Sequence, residues 1–400
     1  DADGRGRRLV SEATKTAQHG LSEHSHGFGV PIQTRSERPK STKLADFEEI
    51  STREEQWRYI SADRLGGLDQ DSLDEFSGDI EAKLADGVES SWIDSDHKLF
   101  GAAGIPEDRV AAAGWEAAKA AYLVSIPGSA TNSAQSTLTI TSNSADPAAL
   151  HIIVEAKKGS DSVVVIDHRG DATLSENIEF VLEDEAKLTV VSIQDWNAGS
   201  IHNGAQYALL GRNSVFKHVM VTLGGAVVRM TPSAYFGAPG GDAALYGLYF
   251  ADAGQYLEHR IFVDHSTPNC KSRVTYKGAL QGAKAHTVWV GDVLIRAAAE
   301  GTDTYELNRN LLLTDGARAD SVPNLEIETG QIQGAGHASA SGRFDDEQLF
   351  YLQARGLSEL EARRLVVRGF LMEVVQQIGV PELEERLAAS IEDELERNAN

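Results

Sequence analysis

His337 follows Gly336 and is flanked only by small residues, Ala335, Ala338 and Ser339. An imidazole with that much room can face outward, and imidazole nitrogen binds iron, zinc or copper. The chain has one cysteine, Cys270. One thiol rules out an internal disulfide and a multi-thiolate zinc or iron–sulfur site supplied by this chain alone. Cys270 lies between strand-like runs, where a free cysteine is ordinarily a core residue. His265, just upstream, reads as a turn cap. His19, His24 and His26 are close enough in sequence to share a metal. They sit in a stretch rich in Gly, Ser and His, with nothing to orient their rings. Asp161, Asp167 and Asp171 suggest another chemistry, since carboxylates beside strands can act as the acid and base of a carbohydrate enzyme. At the turns of a coil such charges are ordinarily solvated.

Other chemistries lack their motifs. There is no G-x-x-x-x-G-K-[ST] phosphate loop, so the chain is not expected to bind or hydrolyse a nucleotide itself. H-E-x-x-H, C-x-x-C and G-x-S-x-G are absent too. Gly240 and Gly241 follow Pro239 and precede strand-like sequence, which is the wrong setting for a dinucleotide turn. A formal net charge of -23 repels phosphate backbones and anionic lipid, so neither nucleic acid nor membrane is an expected partner. No apolar run approaches the roughly 18 residues of a membrane span. The first eight residues, Asp1 to Arg8, carry no apolar signal core. A single cysteine suits a reducing compartment, and the predicted location is the cytoplasm.

The elements that would hold His337 change character along the chain. Residues 1–30 read as a flexible polar tail. Residues 31–128 read as an N-terminal helical region. Ser51 and Thr52 stand three before Glu54 and Glu55 in capping-box spacing, Trp57 and Tyr59 follow, and Arg109 to Tyr122 is Ala-rich. From 129 to 340 the period becomes two. Leu138 and Ile140 alternate with threonines, and Ile178, Phe180 and Leu182 alternate with Glu179, Val181 and Glu183, the pattern of strands with one buried face. Small-residue breaks at Gly225-Ala226, Asp242-Ala243, Gly282-Ala283 and Gly316-Ala317 recur at roughly 17 residues or twice that, as solenoid coils do. Residues 341–400 read as a C-terminal helical domain. Asp345 with Gln348 and Ser358 with Glu361 mark helix starts, and Gly356 and Gly379 mark ends. Pro381 opens a last helix, in which Leu383, Leu387, Ile391 and Leu395 recur every fourth residue. Leu360, Leu365, Val366, Phe370, Leu371, Val374 and Ile378 are predicted to form one apolar stripe. Such helices either cover the open end of a solenoid or form a separable docking knob.

Several stretches together resemble the SufB/SufD family of the Suf iron–sulfur cluster assembly system. Thr52-Arg53-Glu54-Glu55-Gln56-Trp57-Arg58-Tyr59 is similar to the family's Gly-Arg-Glu-Glu-x-Trp-Arg-Tyr, with Thr52 in place of Gly. Gln194-Asp195-Trp196 with His202, Asp264 to Arg273 followed by Tyr276-Lys277-Gly278, Asn308 to Leu313, and Ala319 to Ile327 match further segments. The block from Phe344 to Gly356 is the most specific. SufB carries several cysteines, one essential for building the cluster. The single Cys270 therefore puts the resemblance on the SufD side.

The resemblance implies a mainly β fold, a right-handed parallel β-helix between N-terminal and C-terminal helical regions. It implies a non-catalytic scaffold that pairs with SufB through the β-helix, docks the SufC ATPase on its C-terminal helices and shares a transient iron–sulfur cluster with SufB. His337 matches by position the family histidine that faces a SufB cysteine at the heterodimer interface. Here the segment reads Ala335-Gly336-His337-Ala338-Ser339-Ala340, where the better-known pattern reads Cys-Ser-His-Gly-Ala-Thr. The nearby cysteine is absent, and His337 is left as the only soft ligand of the segment. The rival readings are a SufB-like or homodimeric member of the same family, and a stand-alone β-helix carbohydrate-active enzyme.

Overall fold

Strict apolar alternation, with turns supplied by residues that tolerate positive φ, builds two parallel sheets that face each other across one core. A computed structural model describes residues 38–131, 133–343 and 346–397. His19, His24, His26, the polar tail, Phe344 and the Asp345 cap lie outside the described residues. Three short 3-10 helices come first, at Leu44–Asp46, Glu55–Trp57 and Ala62–Leu65. Next are β1 (Asp74–Glu75), β2 (Asp79–Lys83), β3 (Glu89–Asp94), α1 (Arg109–Ala117) and β4 (Ala120–Ile126). Strands β5 (Ala134–Ala156) and β6 (Asp161–Leu182) are long and serve both sheets. Gly170 turns the corner inside β6 at φ +92°, where any side chain would strike the Ser142 backbone.

Shorter strands then alternate between the sheets: β7 (Lys187–Trp196), β8 (Ile201–Leu210), β9 (Val215–Thr222), β10 (Val227–Phe236), β11 (Asp242–Ala251) and β12 (Tyr256–His265). They continue as β13 (Lys271–Leu280), β14 (His286–Ile295), β15 (Asp303–Leu312), β16 (Arg318–Ile327) and β17 (Gly334–Arg343). The odd-numbered strands from β7 to β17 stack in register in one sheet, and the even-numbered strands from β8 to β16 in the other. This is a parallel β-solenoid, the fold class predicted. Inward positions pack one apolar core, from Val124 and Leu138 near the start to Trp289 and Val293. Two inward glycines serve as seats for rings. A side chain at Gly247 or Gly278 would overlap Tyr276 or Tyr249, respectively.

The N-terminal region departs from its helical prediction. Residues 51–125 hold two of the 3-10 helices, four strands and a single nine-residue α-helix. The Ser51 hydroxyl accepts from the Arg53 amide, which makes a turn and not a helix cap. Trp57, Ile60, Leu65 and Leu68 do not recur at a helical period over a useful length. They cover the outer face of the even-numbered sheet at Val227, Tyr256, Val288 and Val290. Packing on a flat flank overrides weak helix propensity there. Asp108 caps α1 through the Ala111 amide and also takes an ion pair from buried Arg229 at 2.7 Å, tying this region down.

Three C-terminal helices follow, α2 (Asp346–Ala354), α3 (Glu359–Val375) and α4 (Pro381–Arg397). The capping box between Ser358 and Glu361 forms as predicted. The helices do not cover the solenoid end. Val367, Leu371, Val374, Val375 and Ile378, with Leu383, Leu387, Ile391 and Leu395, lie along the outer face of the odd-numbered sheet. The predicted stripe is therefore corrected at two positions, since Leu360 and Leu365 are exposed. Leu365 stands two residues before Val367, which at about 100° per residue puts it on the far side of the helix. Buried Lys277 pairs with Glu373 beneath Phe370, and Arg386 reaches buried Asp167 at 2.5 Å. Among the described residues no helix is long and apolar enough to cross a membrane.

Candidate functional site

The last coil is open. In β15, Thr304, Glu306, Asn308 and Asn310 are buried while Tyr305 and Arg309 are exposed, so the even positions face inward. β17 stacks on β15 with Ala335, His337, Ser339 and Ser341 over those four residues. Register partners on parallel neighbours share a face. His337 thus stands directly over Glu306 and is exposed, and among the described residues β17 pairs with β15 alone.

Glu306 is only 1% exposed, and neither of its carboxylate oxygens has a hydrogen-bond partner among the described residues. Burial, helped by the nearby charge of Asp292, pushes its carboxyl up to about 8. Its side chain crosses the interior towards β14. A Cβ placed on Gly291 would lie 2.5 Å from Glu306 Oε1. Trp289 Nε1 and Tyr276 Oη, in the same part of the core, are likewise unpartnered. Asn308 and Asn310, the next inward residues of β15, are hydrogen-bonded. Tyr249 Oη donates to Asn310 Oδ1 at 2.6 Å, Ser321 Oγ donates to Asn308 Oδ1 at 2.6 Å, and Asn310 Nδ2 reaches Ser341 Oγ at 3.2 Å.

A second cluster lies deep inside, with ligand-type atoms of His168, Glu176 and His202 within 4.8 Å of one another. Hydrogen bonds fix its protons. Trp196 Nε1–H donates to His202 Nδ1 at 3.1 Å, so the His202 proton sits on Nε2, which faces Glu176 Oε2 at 3.3 Å. His168 Nδ1 donates to the Ile193 carbonyl at 2.8 Å while its Nε2 faces Glu176 Oε1 at 2.9 Å, so both nitrogens carry protons. Burial opposes the His168 charge, but Glu176 raises it above the ordinary value. Burial likewise opposes the Glu176 charge, but His168 and His202 hold that carboxyl down to about 2. A cation here would need lone pairs on both Nε2 atoms. With Trp196 already donating to Nδ1, His202 would have to become an imidazolate. The cluster is a buried ion pair with a neutral histidine attached.

The other residues singled out in the sequence have structural roles. Cys270 is buried, with its sulfur 3.3 Å from Thr267 Oγ1. His265 spans its turn to Ser272 Oγ at 2.8 Å. Burial holds His265 neutral, with its imidazole down at about 3. Asp161, Asp167 and Asp171 do not converge. Asp161 accepts from Ser133, Asp171 from Asn197, and Asp167 is buried between Arg169 and Arg386. No paired acid and base results, which removes the basis of the carbohydrate-enzyme reading. Glu306 was not anticipated. Its signal was the run Thr304, Glu306, Asn308, Asn310, four successive polar residues on the inward phase, where neighbouring coils mix polar with apolar residues.

Residues 139–370 match the family model described as SUF system FeS cluster assembly, SufBD core domain. An iron–sulfur cluster assembly SufBD family protein of Mycobacterium tuberculosis is 52% identical over 358 residues, covering 88% of this chain and 90% of the relative. A second SufBD family protein of the same organism is 23% identical over 211 residues, which is 53% of this chain but only 25% of that longer protein. The Escherichia coli iron–sulfur cluster assembly protein SufD is 28% identical over 178 residues, 44% of this chain and 41% of SufD.

Proposed function

This chain belongs to the SufBD family of iron–sulfur cluster assembly proteins, and we propose that it is the SufD-type scaffold subunit, which pairs with a SufB-type paralogue at its open coil and contributes His337 to the cluster. The observation that carries this reading is the position of His337, exposed on a terminal strand whose far edge pairs with nothing among the described residues. A partner seated on that edge would complete the strand pairing and bring a thiolate to the imidazole. A histidine ligand on a cluster otherwise held by thiolates raises its potential. A pairing of unlike subunits is supported by the two family members of M. tuberculosis, of which this chain is much nearer to one.

His337→Ala is expected to leave the melting temperature of the complex unchanged and to remove most of the iron and sulfide that it retains on maturation. An exposed ring with no recorded partner takes little stability with it when removed. Metal and sulfide analysis of the co-expressed complex, alongside thermal melting, checks both halves. Normal cluster content in the variant would refute the role of His337.

The C-terminal helices are the proposed seat of the SufC ATPase. Phe350 and Tyr351 on α2 are 72% and 56% exposed, and Leu360 and Leu365 on α3 are 47% and 50% exposed. These four exposed large apolar side chains on adjoining helices are the candidate contacts for the partner. The double change Leu360→Glu and Leu365→Glu is expected to abolish co-elution with the ATPase while the melting temperature stays unchanged. Retained co-elution would place the ATPase elsewhere.

A further inference from the structure

We propose that Glu306 is a second iron ligand one coil beneath His337, and that the two residues together bind ferrous iron on this chain before any cluster is formed. The proposal rests on the reading of His337 as a ligand and adds a residue to it. The inward column that ends at His337 runs Val190, His218, Leu245, Val274, Glu306, His337, each in register with the next. An apolar residue fits this column at Val274, directly below Glu306. A carboxylate in the next coil therefore has no packing rationale. A buried carboxyl without a partner costs stability that an apolar residue would not, and a cation at the mouth would supply the missing partner.

Adjacent strands are about 4.8 Å apart, so inward side chains on successive coils are within reach of one ion bound at about 2.0–2.2 Å from each ligand atom once the Glu306 carboxylate turns from Gly291 towards the rim. Imidazole with carboxylate is a donor set that ferrous iron accepts, with further positions left for water or a partner's thiolate. Glu306 lies just inside the mouth, and His337 stands at its rim, reachable from solvent. The unpartnered Trp289 Nε1 and Tyr276 Oη provide donors for ion-bound water on the inner side.

The test is anaerobic calorimetric titration of the full chain with ferrous iron, for wild type, Glu306→Gln, His337→Ala and the double variant. Each single change is expected to weaken the site by ~tenfold or more, and the double change to weaken it little further. Iron held by His19, His24 and His26 would be unaffected by either change. Glu306→Gln should melt close to wild type, because it exchanges one unpartnered buried polar group for another of the same shape. If it does not fold, Glu306→Asp, which shortens the reach by one carbon but keeps the charge, should show the same loss of affinity. Wild-type affinity in a folded Glu306 variant, or no site sensitive to His337→Ala, would overturn the proposal. Cluster content of the assembled complex separates the two ideas. Iron binding indifferent to Glu306, with cluster content still lost in His337→Ala, would sink this proposal alone. Iron binding that depends on both residues, with normal clusters in His337→Ala, would support it and sink the cluster role.

Discussion

Glu176→Ala is expected to cost the fold about 3–5 kcal/mol, the usual result of removing one partner from a buried ion pair. Glu176, His168 and His202 are all fully buried, and Glu176 is the one negative charge between the two rings. Without it, His168 must either stay charged in the core or lose its proton along with its main partner. The loss should depend on pH. The Glu176 contribution is complete above the ordinary carboxylate value of 4.5 and disappears as pH falls towards about 2. The His168 contribution is complete below 6.5 and disappears as pH rises through its elevated folded value. The difference between wild type and variant should therefore shrink as pH rises above 6.5, where the wild type alone loses the His168 contribution, while on acidification the buried, unpaired His168 of the variant opposes the loss from Glu176. His218, His259 and His265, all held neutral at about 3 by burial, are common to both proteins and cancel in the difference. Urea midpoints measured at pH 6 and pH 9 read this out. A gap that stays constant or widens as pH rises would count against the ion pair.

The solenoid was readable because it is repetitive. Alternation such as Ile178, Phe180 and Leu182, with turns such as Glu185 and Asn213 that accept positive φ, states strand and turn locally. The α3 start was readable for the same reason, since Ser358 and Glu361 satisfy each other within four residues. What could not be read depends on contacts across the chain. Trp57 and Ile60 look like parts of a helix until Tyr256 and Val288 are known to lie beneath them. Leu365 looks like core until the sheet fixes which arc of α3 faces inward. His168 and Glu176 are eight residues apart around one solenoid corner, and only the corner brings them together with His202. His337 was found by its small neighbours and by resemblance. Glu306 gains its meaning only from the register that puts it underneath.

Ending the chain after Arg343 is expected to abolish recovery of folded protein. The sequence allowed a different outcome, in which a capped helical unit is cut away and the solenoid still meets its paralogue. The packing argues against separability. Helices α3 and α4 cover Val163, Val165, Val191, Ile193, Val219, Val221, Leu223, Leu248, Phe250 and Ala279 on the outer face of the odd-numbered sheet. Fully burying a single Val, Leu, Ile or Phe side chain is worth about 1.5–3 kcal/mol. Uncovering this row would consume a margin that for most domains is only about 5–15 kcal/mol. Lys277 would lose Glu373 and the Phe370 ring, and buried Asp167 would lose Arg386. The uncovered strip would also run along a sheet made of β-branched residues, a surface prone to self-association. Solubility after expression and light scattering of whatever is recovered provide the measurement. A soluble, monomeric truncated chain that melts near the wild-type temperature would show that the helices are a separable knob after all. It would also mean that the ten apolar residues beneath them contribute far less than their burial implies.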